Sequence, residues 1–225
     1  MRQIVFDTET TGFDPFNGDR IVEIGCVIVE DYIPTGEIYH SYINPERDMP
    51  TSAENIHGLS EEFLKEHPTF SEIVDTFRDF CGDLTLVAHN AEFDMKFINW
   101  EMEKLGFKAY SMERSIDTLA IARRKFPGAK NTLDALCKRF SIDNSNRVKH
   151  GALLDAELLA EVYLELMGGR QAGLELISTA EEGSERETKN ISKYDYREPR
   201  PHEASEEELA RHNEFIKGIE RNLWK

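Results

Sequence analysis

Five side chains could do hydrolytic chemistry if the fold brought them together: Asp7, Glu9, Asp94, His150 and Asp155. Asp7 and Glu9 close an apolar, β-branched run beginning Gln3-Ile4-Val5-Phe6. A strand's period of two puts both carboxylates on one face and Thr8 on the other. Two anions on one face repel, so either one takes up a proton or a divalent cation keeps both ionised. Taken alone, Asp-x-Glu is equally a pair of solvated acids at a strand end. Gly12, in Thr10-Thr11-Gly12, permits close backbone approach by a ligand. Asp94, in His89-Asn90-Ala91-Glu92-Phe93-Asp94, falls in the first turn of a helix that starts where a strand ends, a usual address for ligands in α/β proteins. A single acid there is also a plain dipole partner, worth ~0.3 to 1 kcal/mol. His150 and Asp155 are five residues apart, which in one continuous helix would set them about 140° apart. If the chain enters the helix only after Gly151, both can face one pocket; otherwise they are a histidine near a helix start and a surface acid.

The elements that must carry these groups follow from pattern. Residues 3–7 and 21–30 are apolar and β-branched enough for buried strands. Pro34-Thr35-Gly36 predicts a second turn and residues 37–43 a third strand, completing an antiparallel meander. Helical patterns follow Ser60 and Ser71, the latter burying Ile73, Phe77 and Phe80, with each serine a candidate N-cap. Residues 84–89 read as a fourth strand feeding a helix over 91–105, and later helices are expected at 117–125, 132–140 and 152–167. This is a mixed α/β sandwich of about 165 residues. Residues 178–204 are rich in Glu, Ser, Thr, Arg and Pro and read as a flexible linker. From Ser205 a capped helix start leads to Leu209, Phe215, Ile216 and Ile219, a segment too short to stand alone in water and expected to dock on a partner.

At 225 residues the chain suits one substantial core with an appendage. Its apolar runs fall short of the ~20 residues of a membrane-spanning helix, and no basic-then-apolar leader opens it. Cys26, Cys81 and Cys137 are isolated and odd in number, which fits a reducing cytoplasm better than a disulfide scaffold or CxxC zinc site. The formal net charge of −16 argues at first against a polyanionic partner. Its distribution is uneven, however, since residues 101–150 hold 11 bases and 6 acids, net +5. Arg123, Arg124, Lys125, Lys130, Lys138, Arg139, Arg147 and Lys149 could hold phosphates of a single strand, or form an ordinary solvated helix face.

Asp7-Thr8-Glu9, Ile56-His57-Gly58, His89-Asn90-x-x-Phe93-Asp94 and His150-x-x-x-x-Asp155, in this order, resemble the DEDDh 3′→5′ exonucleases. The resemblance implies a ribonuclease-H-like fold with a mixed five-stranded sheet flanked by helices, followed by a flexible C-terminal tail with a helix. It implies that Asp7, Glu9 and Asp155 hold one divalent ion and Asp7 with Asp94 a second, magnesium or manganese given the oxygen-rich ligands. His150 would be the general base, and histidine at a spacing of five selects this subclass over the tyrosine type, whose spacing is four. Thr10, Gly12, Ile56, His57, Asn90 and Phe93 match substrate-contact positions, together with Asp7, Glu9 and Asp155. On the residues alone, His57 is equally an imidazole that caps a turn. Asp117 reads as a helix cap and Asp134 as a dipole partner without catalytic role.

Within the superfamily the whole chain resembles the proofreading-subunit family of bacterial DNA polymerase III. That implies removal of mispaired nucleotides from single-stranded or frayed DNA 3′ ends as nucleoside 5′-monophosphates, at the replisome in a bacterial cytoplasm. It implies a division into an exonuclease domain over 1–168, a clamp-binding segment over 169–177, a linker over 178–204 and a polymerase-binding segment over 205–225. Gln171-Ala172-Gly173-Leu174-Glu175-Leu176 resembles peptides that bind the beta sliding clamp, and Gly173 and Leu176 depart from the stronger forms, which implies weak binding. Phe215, Ile219, Leu223 and Trp224 resemble an anchor to the polymerase alpha subunit; whether a theta subunit also binds is not legible. An exoribonuclease acting on RNA 3′ ends, and a non-catalytic scaffold linking polymerase and clamp, remain the alternatives.

Overall fold

The computed structural model describes residues 1–147, 149–169 and 204–217. In chain order the elements are β1 (Arg2–Thr10), β2 (Ile21–Glu30), β3 (Ile33–Tyr42), α1 (Thr51–His57), α2 (Glu61–Leu64), α3 (Phe70–Cys81), β4 (Thr85–Ala88) and α4 (Ala91–Lys104). They continue with β5 (Ser115–Asp117), α5 (Thr118–Lys125), α6 (Leu133–Phe140), α7 (Ala152–Leu166) and α8 (Glu206–Lys217). The strands form one sheet in the order β3-β2-β1-β4-β5. The β1–β2 and β2–β3 pairs are antiparallel, while β1–β4 and β4–β5 are parallel. This is the expected mixed five-stranded, ribonuclease-H-like sheet flanked by helices.

The alternation of β1 divides its side chains between two cores. Ile4 and Phe6 join Ile24, Cys26 and Leu86 beneath α3 and α4. Val5 joins Val27, Val29 and Val87 beneath α5, α6 and α7. By the same alternation Asp7 and Glu9 extend the face of Val5, and Thr8 that of Phe6. The β1–β2 register slips between Glu9 and Thr10, where Glu9 still faces Glu23 but Thr10 faces Ile21. Such a bulge bends the strand as it reaches the acids.

The structure departs from the sequence expectations at four places. The β2–β3 turn is at Asp31 and Tyr32, both left-handed with φ of 48° and 69°, the backbone of a tight two-residue hairpin. Pro34-Thr35-Gly36 instead lies inside β3, as a register irregularity on the sheet's edge, where a proline costs no ladder bond. The α3 cap is Thr69 rather than Ser71, and it forms a reciprocal capping box with Glu72. Neither β5, only three residues long, nor α1 has enough periodicity to be read locally. Cys26, Cys81 and Cys137 are buried free thiols. Among the described residues no helix is long and apolar enough to cross a membrane.

Helix α8 belongs to a separate unit. Ser205 and Glu208 bond reciprocally at its start, as the sequence suggests, and Leu209 and Phe215 are exposed. Gln171–Leu176, the 178–204 linker and Ile219, Leu223 and Trp224 lie outside the described residues.

Candidate active site

The parallel strands β1 and β4 end side by side, and the site opens beyond their carboxyl ends. A cavity of about 840 Å³ there is lined by Asp7, Thr8, Glu9, Phe93, Asp94, His150 and Asp155, with Arg123, Asp134 and Arg147 among the others. The five side chains with chemical potential thus meet in one place, delivered by four separate segments.

Asp94 arrives from α4, on the opposite side of the sheet from the face that carries Asp7 and Glu9. Its Oδ1 accepts both the Thr8 hydroxyl at 2.6 Å and the Thr8 backbone N–H at 3.1 Å, which locks the first turn of α4 to the end of β1. Asn90 makes the corner between β4 and α4 in a left-handed conformation, φ 73°, and its N–H donates to Asp117. Asp117 also caps α5, as its sequence context suggests.

Asp155 arrives from α7, and the helix does begin after the histidine. Gly151 is its extended N-cap, with φ −153° and ψ 126°, so His150 stays in the loop. That loop is pinned because the His150 N–H donates to the Ile56 carbonyl at 3.2 Å. The depth of Asp155 depends on Gly25, a residue whose importance no local signal marks. A Cβ at position 25 would sit 2.3 Å from the Leu153 backbone nitrogen, so only glycine lets α7 lie this close on β2. Gly12 is crowded by a side chain instead: a Cβ there would fall 2.3 Å from the Asp19 carboxylate, which the Asp14 N–H and Arg47 hold in place. The Gly12 backbone carbonyl accepts the Thr10 hydroxyl at 2.6 Å.

The electrostatics of the cluster are those of acids short of counter-charge. Burial, then Asp155 and the cross-strand Glu23, push Glu9 up to about 8. Burial raises Asp94 to about 7 although its bonds from Thr8 pull it down. Burial, with Asp94, Glu9 and Asp155 as neighbours, raises Asp7 well above the carboxylate range. Groups this reluctant to ionise together favour a bound cation. Donor atoms of Glu9, His150 and Asp155 lie within 4.8 Å of one another, close enough to share an ion. His150 was not an expected ligand of that ion, and Glu23 was not expected at the site at all; it is 3% exposed, faces Glu9 across the strands and bonds His40 at 2.7 Å. Only the register could have revealed Glu23.

A smaller cavity of about 150 Å³ adjoins Glu9 and is lined by Thr10, Gly12, Ile56, His57 and Phe93, among others. His57 is buried; its Nδ1 accepts the Leu59 N–H at 3.0 Å, capping the turn, while its Nε2 has no partner. With Nδ1 accepting, Nε2 carries the proton and is a free donor. Asn90 lines neither cavity. Of the eight bases singled out in the basic stretch, Arg123 and Arg147 line the larger cavity. Arg124 and Lys125 lie by Leu166 and Met167, and the Lys149 stem packs against Gly58. Asp134, in the first turn of α6, accepts from Arg147 at 2.9 Å.

The sequence profile described as Exonuclease matches residues 4–163. The DNA polymerase III subunit epsilon of Rickettsia felis is 48% identical over 222 residues, 97% of each chain. That of Escherichia coli is 47% identical over 176 residues, 75% of this chain and 72% of its own. Among solved structures, exonuclease X in complex with 5′ overhanging duplex DNA superposes with a TM-score of 0.59 at 26% identity, covering 73% of this chain and 90% of that one. The nuclease domain of 3′hExo, a DEDDh family member, shares the fold with a TM-score of 0.64 at 17% identity, over 74% of this chain and 91% of that one. With the match running through both strands and helices that build the cavity, this chain belongs to the exonuclease family, among the DNA polymerase III epsilon subunits.

Proposed function

We propose that the cavity hydrolyses the terminal phosphodiester of DNA 3′ ends, making this chain the metal-dependent proofreading 3′→5′ exonuclease of a DNA polymerase III. The observation that carries the reading is the convergence of Asp7, Glu9, Asp94, His150 and Asp155 on one cavity in a chain that matches epsilon subunits in sequence over nearly its whole length. The buried carboxylates fit divalent ions, and we assign Asp7, Glu9 and Asp155 to one and Asp7 with Asp94 to another. The oxygen-rich donors favour magnesium or manganese. When bound, such ions supply activation of water and neutralise charge on the attacking and leaving oxygens.

The chain's own residues do the remaining work. His150, half-exposed on its pinned loop, takes the proton of the attacking water, a role worth ~10²- to 10⁴-fold. The terminal nucleotide lies against Phe93, Ile56 and the Thr10–Gly12 backbone, and the free Nε2–H of His57 donates to one of its polar atoms. Asn90 sets the strand-to-helix corner that holds Phe93 and Asp94 in place. Mispaired ends are selected because a frayed terminus reaches the site at lower unstacking cost. Arg123 supports a phosphate contact on the strand's approach.

We assign residues 1–168 to the exonuclease domain, 178–204 to a linker and 205–225 to docking on the polymerase alpha subunit. The exposed Leu209 and Phe215 on α8 support that docking. Residues 169–177 would give weak contact with the beta clamp through Gln171 to Leu176. With magnesium or manganese, the purified chain should degrade single-stranded and 3′-mismatched DNA in preference to RNA. Asp155→Asn should lower the rate by more than about a thousandfold; near-normal activity would sink the assignment. Deleting residues 205–225 should leave that activity intact and abolish co-purification with the polymerase, and an undiminished complex would refute the anchor.

A further inference from the structure

Arg147 occupies the cluster as a cation would. It lies in the irregular segment between α6 and α7, yet its side chain is only 8% exposed. Its Nε and Nη2 fork onto Asp155 Oδ1 at 2.5 Å and Oδ2 at 2.6 Å, and Nη1 reaches Asp134 at 2.9 Å. Nη2 is also 2.8 Å from His150 Nδ1. A guanidinium only donates, so Nδ1 is the accepting nitrogen of that imidazole. One side chain therefore covers both oxygens of Asp155 and a lone pair of His150. These groups, with Glu9, are the set whose donors lie close enough to share an ion. The positive charge of Arg147 also opposes the upward pressure on Asp7 and Glu9. A divalent ion drawn to Glu9 and Asp155 would meet a guanidinium on the same carboxylate, and two cations at such range repel.

We propose that Arg147 is a displaceable internal counter-ion, holding Asp155 and His150 in register until a divalent ion takes its place, and then free to meet a phosphate oxygen of the incoming strand. Asp134, 58% exposed at the cavity rim, provides the outer hold toward which the guanidinium retreats. The Arg147 N–H donates to the Asn144 carbonyl at 3.0 Å, so the exchange is carried by the long side chain rather than by its backbone. The proposal rests on the metal-dependent reading above, but its test reads ion affinity and metal-free stability instead of cleavage.

The experiment is titration of Mn²⁺ into the full chain by calorimetry, comparing the unaltered protein with Arg147→Met and Arg147→Lys. A counter-ion that competes with the metal predicts tighter Mn²⁺ binding in Arg147→Met, by about tenfold. The metal-free variant should melt below the unaltered protein, with the gap narrowing when Mn²⁺ saturates both. An Arg147 that merely orients Asp155 predicts the opposite, a loss of about 10- to 100-fold in affinity, and that result would overturn the proposal. Equal affinities would overturn it as well. Should Arg147→Met fail to fold, Arg147→Lys keeps a charge without the fork and should tighten Mn²⁺ in the same direction by a smaller factor; unchanged or weaker binding there counts against it. If the unaltered protein bound no Mn²⁺, the metal-dependent reading itself would fall, and the counter-ion with it.

Discussion

On the sheet side of the cavity, Asp7, Glu9 and Asp94 are fixed by strand register and by the Thr8 clamp, and burial pushes all three toward their protonated forms. On the other side, His150 is 47% exposed on an irregular segment, its N–H held by the Ile56 carbonyl and its Nδ1 set against Arg147 at 2.8 Å and Asp155 at 3.3 Å. The two walls solve different problems. Ligands that must crowd negative charge need rigid, buried scaffolding, because each would otherwise move away from its neighbours. A proton acceptor needs water, and so belongs on a partly exposed loop. Asp155 joins the two, since its backbone is in α7 while its carboxylate is gripped from the loop by Arg147.

The contrast can be broken most sharply at the histidine. His150→Gln should cost ~10²- to 10⁴-fold in kcat while leaving the melting temperature close to the original, because the side chain is exposed and packs no core. A large drop in melting temperature would show that the loop is part of the scaffold after all. Gly25→Ala tests the buried wall from a distance, because the added methyl must push α7 and Asp155 off β2. The expected cost is about 1 to 3 kcal/mol of stability, measured by denaturant unfolding, with a weaker divalent-ion affinity alongside. Unchanged affinity would mean that Asp155 is not placed by this contact. The most gradual effect expected is with pH. Without metal, folded Glu9 keeps its proton to about 8 although its ordinary value is 4.5. The folded state then binds more protons across that window, so stability falls as pH rises through it, by at most about 1.4 kcal/mol per unit from this group. Glu9→Gln should flatten the slope in chelator-treated protein, as should saturating divalent ion; a stability that rose between pH 5 and 8 would contradict the burial of Glu9.

Much of the site was legible because its motifs are local. Asp7 and Glu9 share a strand face by period alone, Asp94 sits where a strand hands over to a helix, and a break after His150 is the geometry its spacing with Asp155 requires. The supporting residues were not legible, for a common reason. Glu23 matters because of the residue opposite it, Gly25 because of a helix that packs on it more than a hundred residues later, and Arg147 because of which acids it meets. Among eight basic residues in one stretch, nothing in their spacing separates Arg147 and Arg123 from the others, which do not line the cavity. The β2–β3 turn was misplaced because Pro-Thr-Gly is a stronger local turn signal than Asp31-Tyr32, and the pairing of β3 with β2 overrode it.

By itself the sequence determined the acids, the histidine, the alternation that aims them and the compositional break that separates the core from its tail. Those are properties of residue type and short-range period, which a chain carries before it folds. Only the tertiary structure decided how the charges are balanced. The net −16 first argued against DNA as a partner, yet the quantity that governs the site is the field inside one cavity, where buried acids face the buried side chain of Arg147. That field falls off over distances of a few residues in space, and folding alone sets which residues those are.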